Sequence, residues 1–180
     1  MTRFILIRHG QTEWNREERF RGRVDVPLNA TGRAQAAAAG RRLAADAAAD
    51  PIWRPAAVYA SPLSRATETA QAVAAHFALP VQPHLGLLDI DFGRWQGLEP
   101  AAAAAAFPEA FATWRDQPHL AQIPGGETLG QLRVRGMAAV TELTARPPQS
   151  APRALTRAQL AAMIDHTLLK PDAVPSQLET

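Results

Sequence analysis

The sequence predicts an α/β fold, a mostly parallel sheet flanked by helices, on three observations. An apolar run, Phe4-Ile5-Leu6-Ile7, stops abruptly at Arg8-His9-Gly10. A second short apolar run, Ala56 to Ala60, follows an alanine-rich stretch of high helix propensity. Short apolar runs and helical stretches then keep alternating, giving the order βαβαβα expected of a parallel sheet. Four apolar residues fit a buried strand, and Gly10 permits the tight turn that leaves Arg8 and His9 at its carboxyl end, where open α/β sheets bind ligands.

The remaining elements follow in order. Thr31-Gly32-Arg33-Ala34-Gln35 opens the first helix, which runs to about Asp50 with Leu43 and its alanines available to face a sheet. Ala56 to Ala60 is the second strand, ended by Pro62, and Ser61 or Ser64 starts a second helix through Ala75. Pro83 to Ile90 holds a third extended segment. Asp91-Phe92-Gly93-Arg94-Trp95-Gln96-Gly97 is a glycine-punctuated loop leading to a helical alanine run at 101–106. Pro124-Gly125-Gly126-Glu127-Thr128 makes a turn and helix start, and that helix continues to about Ala145 before Pro147-Pro148.

The pattern then breaks. Arg146 to Pro152 carries three prolines where an α/β sheet expects a strand, and reads as a linker. Thr156 to Ile164 reads as helical, and Pro171 to Thr180 is polar. The expected organisation is one domain over 1–146, a linker over 147–154, and a tail over 155–180 with no domain of its own. On this reading the sheet is incomplete at its C-terminal end.

Composition excludes several classes. With 180 residues, 47% hydrophobic and 20% charged, the chain suits one domain with a sizeable core. A net charge of +2, one tyrosine and scattered arginines do not make a nucleic-acid surface. The absence of cysteine excludes disulfides, thiolate metal sites and a cysteine nucleophile. The initial apolar run is shorter than a signal-peptide core, and no stretch approaches the ~20 apolar residues of a membrane span. These observations predict a cytoplasmic protein with no membrane partner.

Arg8-His9-Gly10, Asn15, the series Gly22-x-x-Asp25-x-Pro27-Leu28-x-x-x-Gly32-x-x-Gln35, and Ser61-Pro62-Leu63-x-Arg65-Ala66-x-x-Thr69-Ala70 together resemble the histidine phosphatase superfamily, the phosphoglycerate-mutase-like fold. Leu88-Asp89-Ile90-Asp91-Phe92-Gly93-x-Trp95-Gln96-Gly97 and Pro124-Gly125-Gly126-Glu127 add two further family-like segments, so the resemblance spans about residues 3–146. It implies phosphomonoester hydrolysis through a phosphohistidine, acting on a small phosphorylated metabolite of the alpha-ribazole-phosphate or phosphosugar type and needing no cofactor. The short segment between Trp95 and Pro124 favours phosphatase over mutase, because cofactor-dependent mutases resembling this family carry longer insertions there.

The chemistry suits these residue types. Guanidinium groups grip phosphate oxygens bidentately and stay charged at every relevant pH, which fits Arg8 and Arg65 as a clamp. His9 fits the nucleophile, since a neutral imidazole nitrogen can take the phosphoryl group and release it to water. The resemblance places the proton donor for the leaving oxygen at Asp89, where many relatives carry glutamate; Asp91 is its rival, and loop capping is the structural alternative for both. Asn15 and Arg21 are further phosphate ligands from the loop after the first strand. His76, His84 and His119 read as ordinary surface or partly buried residues.

The family also uses a second histidine at the end of a later strand, and no segment here matches its pattern. The only histidine beyond His119 is His166, within Ala161-Ala162-Met163-Ile164-Asp165-His166-Thr167-Leu168-Leu169-Lys170-Pro171-Asp172-Ala173. That segment resembles the amino-terminal opening of a deoxyribose-phosphate aldolase, a barrel of at least ~200 residues that the tail is too short to contain. The expectation is therefore a truncated phosphatase fused to an aldolase fragment, with impaired turnover and the first strand left with an unpaired edge. Three alternatives stay open: a phosphoglycerate-mutase-type phosphotransferase, a non-catalytic phosphate-binding protein, and an aldolase fragment.

Overall fold

The computed structural model describes residues 2–146 and the backbone of residues 159–163. Four strands, β1 (Arg3–Leu6), β2 (Ala57–Ala60), β3 (Val81–Pro83) and β4 (Gln159–Met163), form one sheet in the order β1-β4-β2-β3. Each pairing is parallel. The helices are α1 (Glu13–Arg16), α2 (Ala30–Ala49), α3 (Ser64–Ala74), α4 (Pro100–Ala106), α5 (Pro108–Asp116) and α6 (Leu129–Ala145).

Every residue of β2 is buried, because both faces of the sheet are covered. Val58 and Ala60 point to a core built with Leu43, Ala70, Val73, Ala74 and Phe77 of the α2–α3 side. Ala57 and Tyr59 point the other way, onto Leu87 and onto Ala139 and Leu143 of α6. β1 repeats the alternation, with Ile5 packed on the α2–α3 side and Phe4 on the α6 side. A third core, beside the sheet, gathers Phe92, Trp95 and Trp114 with Phe20 and Phe111. Ring centroids there lie 4.8 Å (Phe20–Phe92) to 6.4 Å (Phe20–Phe111) apart, the range of favourable aromatic pairs.

The helix starts have identifiable causes. The Asn29 side chain accepts from the Gly32 amide at 2.8 Å and starts α2. Thr128 and Gln131 form a reciprocal capping box that starts α6 where the Gly125-Gly126 turn ends. At α3 neither Ser61 nor Ser64 caps through its side chain. The cap comes from Asp25, 39 residues earlier, whose Oδ1 accepts from the Ser64 amide at 2.7 Å.

Three sequence-based expectations need correction. The segment Pro83–Ile90 is not a strand: β3 ends at Pro83, and the His84 side chain caps a 3₁₀ turn over Leu85–Leu87. The segment expected to be helical from Thr156 to Ile164 contains β4. The first strand is not left unpaired either, since β4 lies between β1 and β2, with Ile5 opposite Ala161 and Val58 opposite Ala161 on its other side. A short apolar run such as Leu160-Ala161-Ala162-Met163 fits a helix or a buried strand equally by pattern; two rows of backbone donors and acceptors beside it favour the strand. The linker 147–154 and His166 lie outside the described residues.

Ending the chain after Arg146 should therefore unpair β1 and leave β2 paired on its β3 side alone. Amides of Ile5 and Tyr59, the residues that face β4, are expected to exchange hydrogen about tenfold faster or more, as the loss of buried hydrogen bonds worth about 1–3 kcal/mol requires, and the protein should aggregate. Unchanged protection would show that 159–163 does not hold the sheet.

Candidate active site

Three residues past β1, His9 is buried while the neighbouring Arg8 is exposed. The His9 Nδ1 lies 2.6 Å from the Gly10 carbonyl oxygen. A carbonyl only accepts, so Nδ1 carries the proton and Nε2 carries the lone pair of the neutral ring. This is the tautomer that a nucleophile needs.

The turn holding His9 is fixed by contacts from two helices. The Gly10 amide donates to Thr69 Oγ1 at 3.1 Å, and that hydroxyl donates to the Arg65 carbonyl at 2.7 Å, tying the turn to the first half of α3. From α2, Gln35 Oε1 accepts from the Gln11 amide, and Asn29 donates its backbone amide to the Gln11 carbonyl and its side-chain amide to Gln11 Oε1. The backbones touch here: a Cβ on Gly10 would lie 2.2 Å from the Gly32 oxygen, and one on Gly32 would lie 2.0 Å from the Gln11 oxygen. The spacing of Gly32 and Gln35 is thus a docking pattern for the His9 turn.

Arg65 is fully buried at the start of α3. Its Nη1 donates to the Val24 carbonyl at 2.8 Å, and its Nη2 to the Gly22 carbonyl at 2.7 Å and to Asp89 Oδ2 at 3.3 Å. Asp89 is 1% exposed, and its other oxygen accepts from the Ile90 amide at 2.8 Å. Arg21 is buried on the loop that Arg65 pins, immediately before Gly22, whose φ of +52° suits glycine. A Cβ at Gly22 would come within 2.6 Å of Gln96 Oε1 and 2.9 Å of the Ile90 oxygen.

Arg65, Asp89 and the Arg21 loop are therefore in one contact network, joined to His9 through Thr69 and Gly10. Asn15 is engaged structurally, because its Oδ1 accepts from the Thr12 amide and hydroxyl, both at 2.9 Å, and so closes a capping box at α1. Asp91 is a turn residue, with Oδ1 accepting from the Gly93 amide at 2.8 Å and Oδ2 paired with Arg23 at 3.3 Å. Sequence reasoning missed the helix-capping part of Asp25, the link through Thr69 and, above all, Glu127 with Arg135. These last two pair through both Glu127 oxygens, at 3.0 and 2.8 Å. Burial pushes the Glu127 carboxyl up, but hydrogen bonds and charge from Arg135, the Asp91 amide and the Arg23 charge outweigh it and hold it below the usual carboxylate range.

Among the described residues no group of three or more His, Cys, Asp or Glu is placed to hold a metal ion, and no helix is long and apolar enough to cross a membrane.

A buried histidine at the carboxyl end of a parallel strand, linked through Gly10 and Thr69 to a buried Arg–Asp pair, is the centre of this α/β fold's candidate site. The chain belongs to the histidine phosphatase superfamily (branch 1), whose family pattern matches residues 4–167. It is 33% identical to phosphoserine phosphatase 1 of Hydrogenobacter thermophilus over 138 residues, covering 76% of this chain and 62% of that protein. It is 36% identical to glucosyl-3-phosphoglycerate phosphatase of Mycolicibacterium vanbaalenii over 141 residues, covering 78% of this chain and 59% of that protein. The chain thus spans about three fifths of these two curated relatives. The native structure of a mycobacterial glucosyl-3-phosphoglycerate phosphatase superimposes with a TM-score of 0.72 at 31% identity, over 89% of this chain and 72% of that one. The α/β fold with its parallel sheet and flanking helices is that of histidine phosphatases.

Two outcomes follow from the packing and the charges. Gly32→Ala forces backbone against backbone, so despite alanine's better helix propensity it should lose about 1–3 kcal/mol of stability, read as a lower melting temperature, and slow any His9 chemistry. Glu127 has a folded pKa below its ordinary 4.5, so its stabilising contribution is complete above that value and is lost as pH falls through the folded pKa. The stability deficit of Glu127→Gln, followed by urea unfolding, should be largest at neutral pH and vanish in acid.

Proposed function

We propose that the chain is a phosphomonoesterase that works through a phosphohistidine on His9. Arg8, Arg65 and Arg21 hold the phosphoryl oxygens, the Asn15 amide nitrogen adds a donor from α1, and Asp89 serves as the proton donor. The observation that carries this reading is the buried Arg65–Asp89 contact, which puts a cation for the phosphoryl group and an acid for the leaving oxygen side by side on the network that holds His9. His9 Nε2 attacks phosphorus, the P–O bond to the substrate breaks, and Asp89 protonates the departing oxygen. Water then attacks the phosphohistidine, gives a proton to the Asp89 carboxylate, and releases phosphate with the His9 lone pair restored.

The substrate is a small phosphorylated metabolite, a class consistent with the names of the relatives above. We assign residues 1–146 together with β4 to the phosphatase-like unit, 147–154 to a linker, and 155–180 to a segment without a domain of its own, and place no aldolase chemistry there. Because that segment carries no match to the family's second-histidine pattern, turnover is impaired, with dephosphorylation of His9 slow. One observation favours a second reading, in which turnover is complete: His166 follows the end of β4 by three residues in sequence, as His9 follows the end of β1.

Brief incubation with a labelled phosphoryl donor should place acid-labile, base-stable label on the protein, and His9→Ala should abolish it. Phosphate binding without label would make the chain a binder. Under the leading reading the label persists and His166→Ala changes nothing; under the second, His166→Ala lowers kcat about a hundred- to thousand-fold, the usual effect of removing one transition-state donor.

A further inference from the structure

We propose that Arg135 is a positioning residue for Asp89, setting the proton donor's carboxyl by gripping its backbone from the opposite side. The proposal rests on the reading of Asp89 as proton donor.

Asp89 lies in a stretch with neither strand nor helix, just after the 3₁₀ turn of Leu85–Leu87. Its carbonyl and those of Gly86 and Leu88 have no ladder to join. Arg135 reaches them from α6, 46 to 49 residues away: Nη1 donates to the Gly86 and Leu88 oxygens, both at 2.9 Å, and Nη2 to the Asp89 oxygen at 3.3 Å. Its Nε and Nη2 also donate to Glu127 at 3.0 and 2.8 Å. A guanidinium has five N–H donors in a rigid fork, and these five bonds use all of them. Glu127 is itself fixed to the same stretch, since its backbone amide donates to the Asp91 carbonyl at 2.8 Å and Arg23 stands 3.6 Å from its carboxylate.

Asp89 is thus held between two arginines that act on different parts of it. Arg65 meets the carboxylate, and Arg135 meets the main chain. A general acid must lie within hydrogen-bond reach of the leaving oxygen, and aspartate, one methylene shorter than glutamate, depends more on where its backbone sits. Lysine at position 135 would keep the charge but not the planar fork that three carbonyls and a carboxylate require.

The test separates positioning from mere support of the fold. With the full chain, single-turnover labelling of His9 is measured using 2,4-dinitrophenyl phosphate, whose leaving group departs without a proton, and an alkyl phosphate, whose leaving group needs one. Arg135→Lys is expected to slow labelling from the alkyl phosphate about tenfold or more while changing the dinitrophenyl reaction less than about threefold, in line with the worth of a displaced general acid. Glu127→Gln, which leaves the carbonyl contacts in place, should show the same split to a smaller degree. In an Asp89→Asn background, Arg135→Lys should add no further loss on the alkyl phosphate. Near-UV circular dichroism checks that each variant is folded. Equal losses on both substrates, or additive losses in the Asp89→Asn background, would overturn the positioning role while leaving Asp89 as donor. If Asp89→Asn itself shows no leaving-group dependence, the proton-donor reading falls and the positioning role falls with it.

Discussion

A cation with no exposure has to be compensated by hydrogen bonds, and Arg65 is that cation. Moving a guanidinium out of water costs several kcal/mol unless polar partners replace its hydration. Here the partners come from two separate stretches of chain: the Gly22 and Val24 carbonyls and the Asp89 carboxylate. Satisfying Arg65 therefore fixes, in one act, the loop that carries Arg21 and the segment that carries Asp89. Its own backbone carbonyl is bonded to Thr69, whose oxygen accepts from Gly10, so the His9 turn is drawn into the same solution. The site is a consequence of neutralising one buried charge by geometry.

Two devices position the His9 turn. The first is the sheet, whose residues alternate between an α2–α3 core and an α6 core and so set the height of the turns at the strands' carboxyl ends. The second is the glycine pair, Gly10 and Gly32, which lets the His9 turn dock on the first turn of α2 at backbone contact distance. Close backbone contact admits little adjustment, whereas a side-chain contact can re-pack through rotamers. His9 is thus placed by the stiffest kind of packing the chain offers, and Asp89 by a more elaborate arginine network.

Much of this is legible in the sequence because it is local. Phe4-Ile5-Leu6-Ile7 and Ala56 to Ala60 lie within a residue or two of β1 and β2, and the alanine-rich stretch is α2, since periodicity and propensity act over a few residues. His9, Arg65 and Asp89 stand out through motifs, and they prove to share one network. What sequence does not reveal depends on distant partners. Asp25 caps a helix 39 residues away, and Arg135 saturates carbonyls 46 to 49 residues away, with no local pattern to announce either. Asn15 shows the converse, a polar residue in a functional motif whose carbonyl oxygen is committed to a local capping box. Leu160 to Met163 reads as helix in isolation and becomes strand because β1 and β2 present backbone donors and acceptors on either side.

That last case separates what a fold requires from what a reaction requires. A slot between two parallel strands is recognised through backbone donors and acceptors, so its demands on sequence are modest: a few apolar residues of the right length and no proline between the ladders. Many segments of different sequence meet them. The chemistry at the strand's end has no such tolerance, because it depends on one side chain in the first few residues after the last paired amide. A chain can therefore keep the sheet, the buried arginine and the His9 turn whatever residue its last strand delivers, so selection for folding alone does not fix that residue.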